Sequence, residues 1–415
     1  MSSKNTSASN RSSSERAQSK LPKPESSGQD GDGQYYRPNP FLYFPGATFE
    51  IHSHLPPDPF GYPYPNNTRS PIPDEELESG DGPRHKLRVV IANPPAELPP
   101  HVRAKIAFTH KHQSLTVVGP VGDRAGGARL VRCYLDSDKS HHYVAKIYDA
   151  MGYPLSELDA SDFWMDCMWA ADMDYTREAW AYEHIPQELQ GSLVPRYFGS
   201  WTMFVETGLP EPQPARRPVR LILLEFIEGD NMGAIINRAV RQAEKEKRPS
   251  HHQFLPLELD RLDHMFRIVE ADMTLYWRAH IRHNDIYPRN VMITNNPARP
   301  IVIIDFNLAT VYPSDSDHFK DHPLLPISPI EFFRPQLMFH EGGCFRNWSP
   351  GGWMNPNDNG ETSYREASRW VFRHWAGSSR YEPLTDFFLQ QMKRSSLEEW
   401  EYCVAQIKRR EKERQ

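Results

Sequence analysis

The chain changes character near residue 86. Beyond it, apolar residues recur at regular spacings. Residues 86–92 and 114–118 predict short strands, and 130–135 and 143–148 predict a strand pair joined by a turn-like stretch at 136–140. Over 172–190, Tyr175, Ala179, Tyr182 and Leu189 share one helical face, which predicts a helix. A continuous apolar run at 220–227 reads as a buried strand, and 237–249 as a charged insertion. The strongest helix signal covers 259–280, where Leu262, Met265, Phe266, Val269, Met273 and Tyr276 make a stripe. Residues 290–293 and 301–304 then read as two short strands. The order is strands, one helix, more strands, then a helix-rich remainder, with no internal repeat. It predicts an α+β protein of two lobes with a cleft where they meet.

The first 85 residues lack such periodicity. Residues 1–100 hold 17 of the 38 prolines, and ten serines fall in the first 27 residues. This composition predicts a disordered Ser/Pro/aromatic-rich leader over 1–85, a strand-rich small lobe over 86–226 and a helix-rich large lobe over 227–415. The leader also carries Tyr35, Tyr36, Phe41, Tyr43, Phe44, Phe60, Tyr62 and Tyr64. Two readings of 34–85 stay open, an irregular arm lying on the domain and a segment that binds a protein partner.

The formal net charge of −6 gives no basic field for nucleic acid, and the basic stretch 408–414 reads as a solvated helix end. No apolar run is long enough for a membrane span, and no secretory signal is visible. Cys133, Cys167, Cys344 and Cys403 stand far apart, which predicts reduced thiols in an intracellular protein, cytoplasmic or nuclear.

The chemistry concentrates in two stretches. The first is His283-Asn284-Asp285-Ile286-Tyr287-Pro288-Arg289-Asn290, reached from the long amphipathic helix. The second is the apolar strand ending in Ile303-Ile304-Asp305-Phe306-Asn307. Three oxygen-bearing side chains, Asp285, Asn290 and Asp305, thus fall at the ends of adjacent short strands. Such a set can hold a hard cation such as Mg²⁺ beside a proton-accepting carboxylate.

These residues resemble the H-x-D-x-x-x-x-N catalytic loop and D-F-G metal loop of the protein-kinase-like superfamily. The resemblance covers about residues 110–310. It implies a bilobal kinase-like fold and an ATP- and Mg²⁺-dependent phosphotransferase. Asp285 would accept the proton of the acceptor hydroxyl, and Asn290 and Asp305 would hold Mg²⁺. Val144-Ala145-Lys146-Ile147 resembles the strand whose lysine meets the α- and β-phosphates, which makes Lys146 both catalytic and nucleotide-binding. Its partner would come from the next helix. At about 100° per residue, Glu178 lies about 40° from the centre of the apolar face and Glu183 about 100°, so Glu178 is chosen. Leu223-Leu224-Glu225-Phe226-Ile227 resembles the hinge, where the C=O of Glu225 and the N–H of Ile227 would meet adenine. Gly122, Gly126 and Gly127 fall where a phosphate-covering loop would lie, though not at G-x-G-x-x-G spacing. A phosphate loop and an ordinary hairpin turn both fit them.

The chain departs from the pattern at several points. Asn307 replaces the glycine of D-F-G, Tyr287 stands where a catalytic-loop lysine is common, and Ser328-Pro329-Ile330-Glu331 only echoes A-P-E. These departures fit the atypical and aminoglycoside-phosphotransferase-like branches, and the phrase 190–199 also resembles uncharacterised fungal kinase-like proteins. Arg289 could lend charge near the transferred phosphate, as a catalytic residue, or form a salt bridge. His283 reads as a brace for the loop. Trp348, Trp353, Trp370, Phe372 and Trp375 read as core or as an acceptor pocket. Two function classes remain: a phosphotransferase acting on a protein or small-molecule acceptor, and a pseudokinase serving as a nucleotide-binding or protein-interaction module.

Overall fold

The computed structural model describes residues 42–64, 69–73, 76–77, 82–98, 111–122, 127–158, 164–209, 214–313, 325–332, 344–350 and 361–415. In chain order it begins with β1 (Thr48–His54), α1 (Gly82–Ala92), β2 (His112–Pro120), β3 (Arg129–Leu135) and β4 (Tyr143–Tyr148). A small hairpin, β5 (Ser156–Leu158) and β6 (Trp164–Asp166), leads into α2 (Cys167–His184), then β7 (Tyr197–Glu206) and β8 (Arg216–Glu225). There follow β9 (Gly229–Asn231), α3 (Met232–Lys245), α4 (Glu258–Ala279), β10 (Ile281–Arg282), β11 (Val291–Thr294), β12 (Ile301–Ile303) and β13 (Thr310–Val311). The remaining helices are α5 (Pro329–Phe332), α6 (Glu361–Trp375), α7 (Asp386–Ser395) and α8 (Leu397–Arg414).

Six strands close into an antiparallel barrel in the order β1-β2-β3-β4-β8-β7. The closing strand is β1, in which Ile51 faces Gln113 of β2 on one side and Met203 of β7 on the other. Alternation along each strand fills the interior. Ile51, Leu115, Val117, Val131, Cys133, Ala145, Ile147, Trp201, Met203, Leu221 and Leu223 form one buried cluster.

The other parity of β4 and β8 is buried too. Val144, Tyr148, Ile222 and Leu224 face outward into a second cluster with Tyr175, Ala179 and Tyr182 of α2 and with Met265, Ile268 and Val269 of α4. Burial on both faces is why these two strands read as unbroken apolar runs. Lys146 shares the parity of Val144 and Tyr148, so the pleat turns it out of the barrel toward α2.

The expected two-lobed, kinase-like arrangement is therefore corrected. The architecture is α+β, but its main sheet is a closed barrel, and residues 41–415 cluster as one contact unit. The physical cause lies in the stretch read as a disordered leader. Residues 48–54 pair with both edges of what would be an open five-stranded sheet. Residues after β1 run irregularly along α2, where Phe60 is fully buried against Trp169 at 5.1 Å between ring centroids. Arg177 donates to the carbonyls of Phe60 (3.0 Å) and Tyr62 (2.7 Å).

Local corrections have local reasons. The stretch 86–92 belongs to helix α1, because Leu87, Val89 and Val90 are buried there; Val89 and Val90 pack on Ile72, Ala150, Cys167 and Met168. Helix α2 starts earlier than 172 because the buried Asp166 carboxylate caps it, accepting from the amides of Met168 and Trp169. The charged stretch from 237 starts inside α3, which is capped by Asn231 and buries Ala239 and Ala243, and ends beyond it. Trp348, Trp370, Phe372 and Trp375 are core, and Trp353 lies outside the described residues. All four cysteines are free thiols, three of them buried. Among the described residues no helix is long and apolar enough to cross a membrane.

Candidate functional site

Lys146 is the hub of the site. Its Nζ donates to Glu178 Oε2 and, at 2.5 Å, to Asp305 Oδ1. All three side chains are buried. Burial alone pulls the Lys146 ammonium down, but Asp305 and Glu178 outweigh it and hold it above lysine's ordinary value. The Tyr148 hydroxyl, two residues along the same strand face, donates to Glu178 Oε2 at 2.8 Å. Glu178 Oε1 is buried with no partner. Glu183 is exposed, so the choice of Glu178 by helical angle agrees with the contacts.

The loop after α4 turns sharply. His280 ends the helix at φ +55° and Asn284 sits at φ +62°. Asn284 Nδ2 donates to the Leu308 carbonyl (3.0 Å) and to Thr310 Oγ1 (2.9 Å), tying this loop to the segment after Asp305. His283 is fully buried, and burial pushes its imidazole down to about 4. It is therefore neutral, with Nε2 donating to the Ile304 carbonyl (3.1 Å) and Nδ1 accepting from the Asp285 amide (3.2 Å). This is the bracing role, not that of a base.

Asp285 is buried and held from both sides. Asn290 Nδ2 donates to its Oδ2 (2.6 Å) and to its carbonyl (2.9 Å). Arg289 Nη2 reaches Oδ1 (2.7 Å) and Oδ2 (2.9 Å), and its guanidinium lies over the Tyr287 ring at 4.7 Å. Arg289 thus forms an ion pair, but with the candidate base itself.

Asp305 sits at φ +72°, a conformation a non-glycine residue keeps only where its surroundings enforce it. Enforcement comes from Lys146 and from Phe306, fully buried against Tyr182 (5.2 Å) and His283 (4.6 Å).

Lys146, Glu178, Asn290 and Asp305 lie at one end of a cavity of about 460 Å³, with Asp285 bonded to Asn290 beside it. Val121, Leu130, Val144, Leu224, Met292 and Ile304 give it apolar walls, while Lys146, Glu178, Asn290 and Asp305 supply the polar end. Glu225 and Ile227 line it as well. The Glu225 side chain is engaged elsewhere, by Arg299 (2.8 Å) and the Arg196 amide (3.1 Å). Gly122 lines the cavity at φ +77° with open space around its absent Cβ. Gly127 does not line it; its amide bonds the Gly152 carbonyl at 3.0 Å. Gly126 lies outside the described residues.

The donor set fits Mg²⁺. Asn290 commits its Nδ2 to Asp285, so its Oδ1 is the atom that could bind a cation, and Asp305 could add a carboxylate. Two such hard oxygens suit an ion that takes its remaining ligands from waters and phosphates. Among the described residues no group of three or more His, Cys, Asp or Glu is gathered as a metal site.

Sequence reasoning missed Tyr148, Asp174, Asp230 and Asn231. Tyr148 had a signal, since it stands two residues after Lys146 in the same strand. Asp230 and Asn231 line the cavity from β9, which is too short to be read from a pattern. No protein-family model matches the chain, and no curated protein is significantly similar to it.

Proposed function

We propose that the protein is an ATP- and Mg²⁺-dependent phosphotransferase acting on a hydroxyl acceptor. The observation that carries the reading is the pair of salt bridges from Lys146 to Glu178 and Asp305 at the polar end of an apolar-walled cavity that Asn290 also lines, with Asp285 bonded to Asn290. The roles are those implied by the resemblance to the protein-kinase-like superfamily, carried on a closed barrel rather than on two lobes. The apolar slot suits a purine ring, with the backbone of Glu225 and Ile227 at its edge.

Lys146, oriented by Glu178, meets the α- and β-phosphate oxygens. Asp285 orients the acceptor hydroxyl and takes its proton as the acceptor oxygen bonds the γ-phosphorus and the bond to the bridging oxygen of ADP breaks. Asp305 and Asn290 Oδ1 would hold Mg²⁺, which supplies charge neutralisation on the phosphate oxygens. Beside that proton transfer, positioning and electrostatics are the protein's contribution.

A second reading, a nucleotide-binding module without turnover, is favoured by one observation. Both Asp285 oxygens accept from Arg289, so the candidate base is held in an ion pair. The test is a Mg²⁺-ATP titration with ATP consumption followed over a panel of protein, sugar and lipid acceptors. The phosphotransferase reading expects Mg²⁺-dependent binding and turnover with at least one acceptor. Binding without turnover supports the second reading, and no nucleotide binding removes both.

A further inference from the structure

Asn307 stands where the resemblance expects glycine, and the structure gives its side chain a task. Its Nδ2 donates to Asp174 Oδ1 at 3.1 Å, and the Tyr153 hydroxyl donates to Asp174 Oδ2 at 3.0 Å. Asp174 precedes Glu178 by one helical turn on α2, so the two carboxylates lie on the same side of that helix. Asn307 follows Asp305 by two residues. The helix and the Asp305 loop therefore share two polar bridges, one through Lys146 and one through Asn307 and Asp174, beside the packing of Phe306 on Tyr182.

We infer that Asn307 is a positioning residue that holds Asp305 against the Glu178 helix through Asp174. The claim rests on the proposed phosphotransferase reading for its catalytic meaning, though not for its geometry. Asp305 keeps a left-handed backbone that needs enforcement, and a fixed point two residues downstream provides it. The side chain must be a donor. Glycine would leave Asp174 Oδ1 without its partner, and aspartate would set two carboxylates against each other. Besides the packing of Phe306 on Tyr182, Lys146 alone would leave the loop one polar tie to the helix. With the second bridge, displacement of Lys146 Nζ toward a phosphate need not release Asp305.

The bridge can be tested by exchanging its ends. Asn307→Asp should weaken Mg²⁺-dependent ATP affinity about tenfold, and Asp174→Asn should weaken it as well. The double variant Asp174→Asn/Asn307→Asp conserves both hydrogen bonds, since the new amide donates to the new carboxylate and still accepts from Tyr153. It should return affinity to within about threefold of wild type. Two independent effects would add rather than cancel. Equal affinity in wild type and Asn307→Asp, or a double variant no better than the worse single one, overturns the inference. Asn307→Gly creates no like-charge contact and serves if Asn307→Asp does not fold; it should lose affinity severalfold. Amide exchange over 305–311 is read in the same samples. If wild type binds no nucleotide, the phosphotransferase reading falls and exchange decides. Faster exchange in Asn307→Gly supports the anchor, and unchanged exchange overturns it.

Discussion

Replacing Ile51 tests whether the strand from the supposed leader closes the barrel. Its side chain is fully buried among Leu115, Met203 and Leu221, and its backbone pairs with β2 and β7. Ile51→Ala removes buried carbons and leaves a cavity between strands already fixed by their neighbours, which costs about 3 to 4 kcal/mol. Unfolding entropy near the midpoint is about 2.1 cal/mol/K per residue, or about 0.8 kcal/mol/K for a unit of this size. The melting temperature should then fall by about 4 °C. Glu50 lies on the same strand, exposed, and provides the control. Glu50→Ala should shift the melting temperature by less than about 1 °C. Differential scanning calorimetry of the three proteins reads the comparison. Equal, small shifts for Ile51→Ala and Glu50→Ala would show that β1 is an appendage and would restore the open sheet.

Other consequences are as direct. His283 titrates at about 4 when folded and near about 6.5 when unfolded, so the unfolded chain binds the extra proton first as pH falls. Its depressed value means that stability is lost from about pH 6.5 downward, by up to about 3 kcal/mol at pH 4. The stability difference between wild type and His283→Gln, measured by urea titration, should narrow across that window; a constant difference would refute it. Glu178→Ala should weaken nucleotide binding much as Lys146→Ala does, while the exposed Glu183→Ala should leave it within about twofold, as measured by titration.

Much of this could be read from the chain. Strand β4 was delimited correctly because a polar turn precedes it, and α4 to within one residue at each end because one face meets the core while the other meets water. Lys146, Glu178, Asp285, Asn290 and Asp305 were found by local motif and helical angle; four of them line one cavity, and Asp285 is bonded to Asn290 beside it. Barrel closure was not legible, because pairing of β1 with β2 and β7 is decided by register across distant strands. Within β1, Ile51 is the only aliphatic residue. Helix α2 hid its start because nearly every side of its first turns is buried, which erases the stripe that marks an amphipathic helix. The bridge from Asn307 to Asp174 joins residues 133 positions apart, and nothing local announces it.

The central claim is a division of labour between two buried carboxylates, and one paired measurement tests it. Mg²⁺-ATP affinity and ATP turnover are determined for wild type, Asp305→Asn and Asp285→Asn. Both substitutions keep side-chain volume. Asp305→Asn should abolish most of the Mg²⁺-dependent gain in ATP affinity. Asp285→Asn should leave affinity nearly unchanged and lower turnover by about 10² to 10⁴. Turnover that survives Asp285→Asn, or Mg²⁺-dependent affinity that survives Asp305→Asn, would contradict the account.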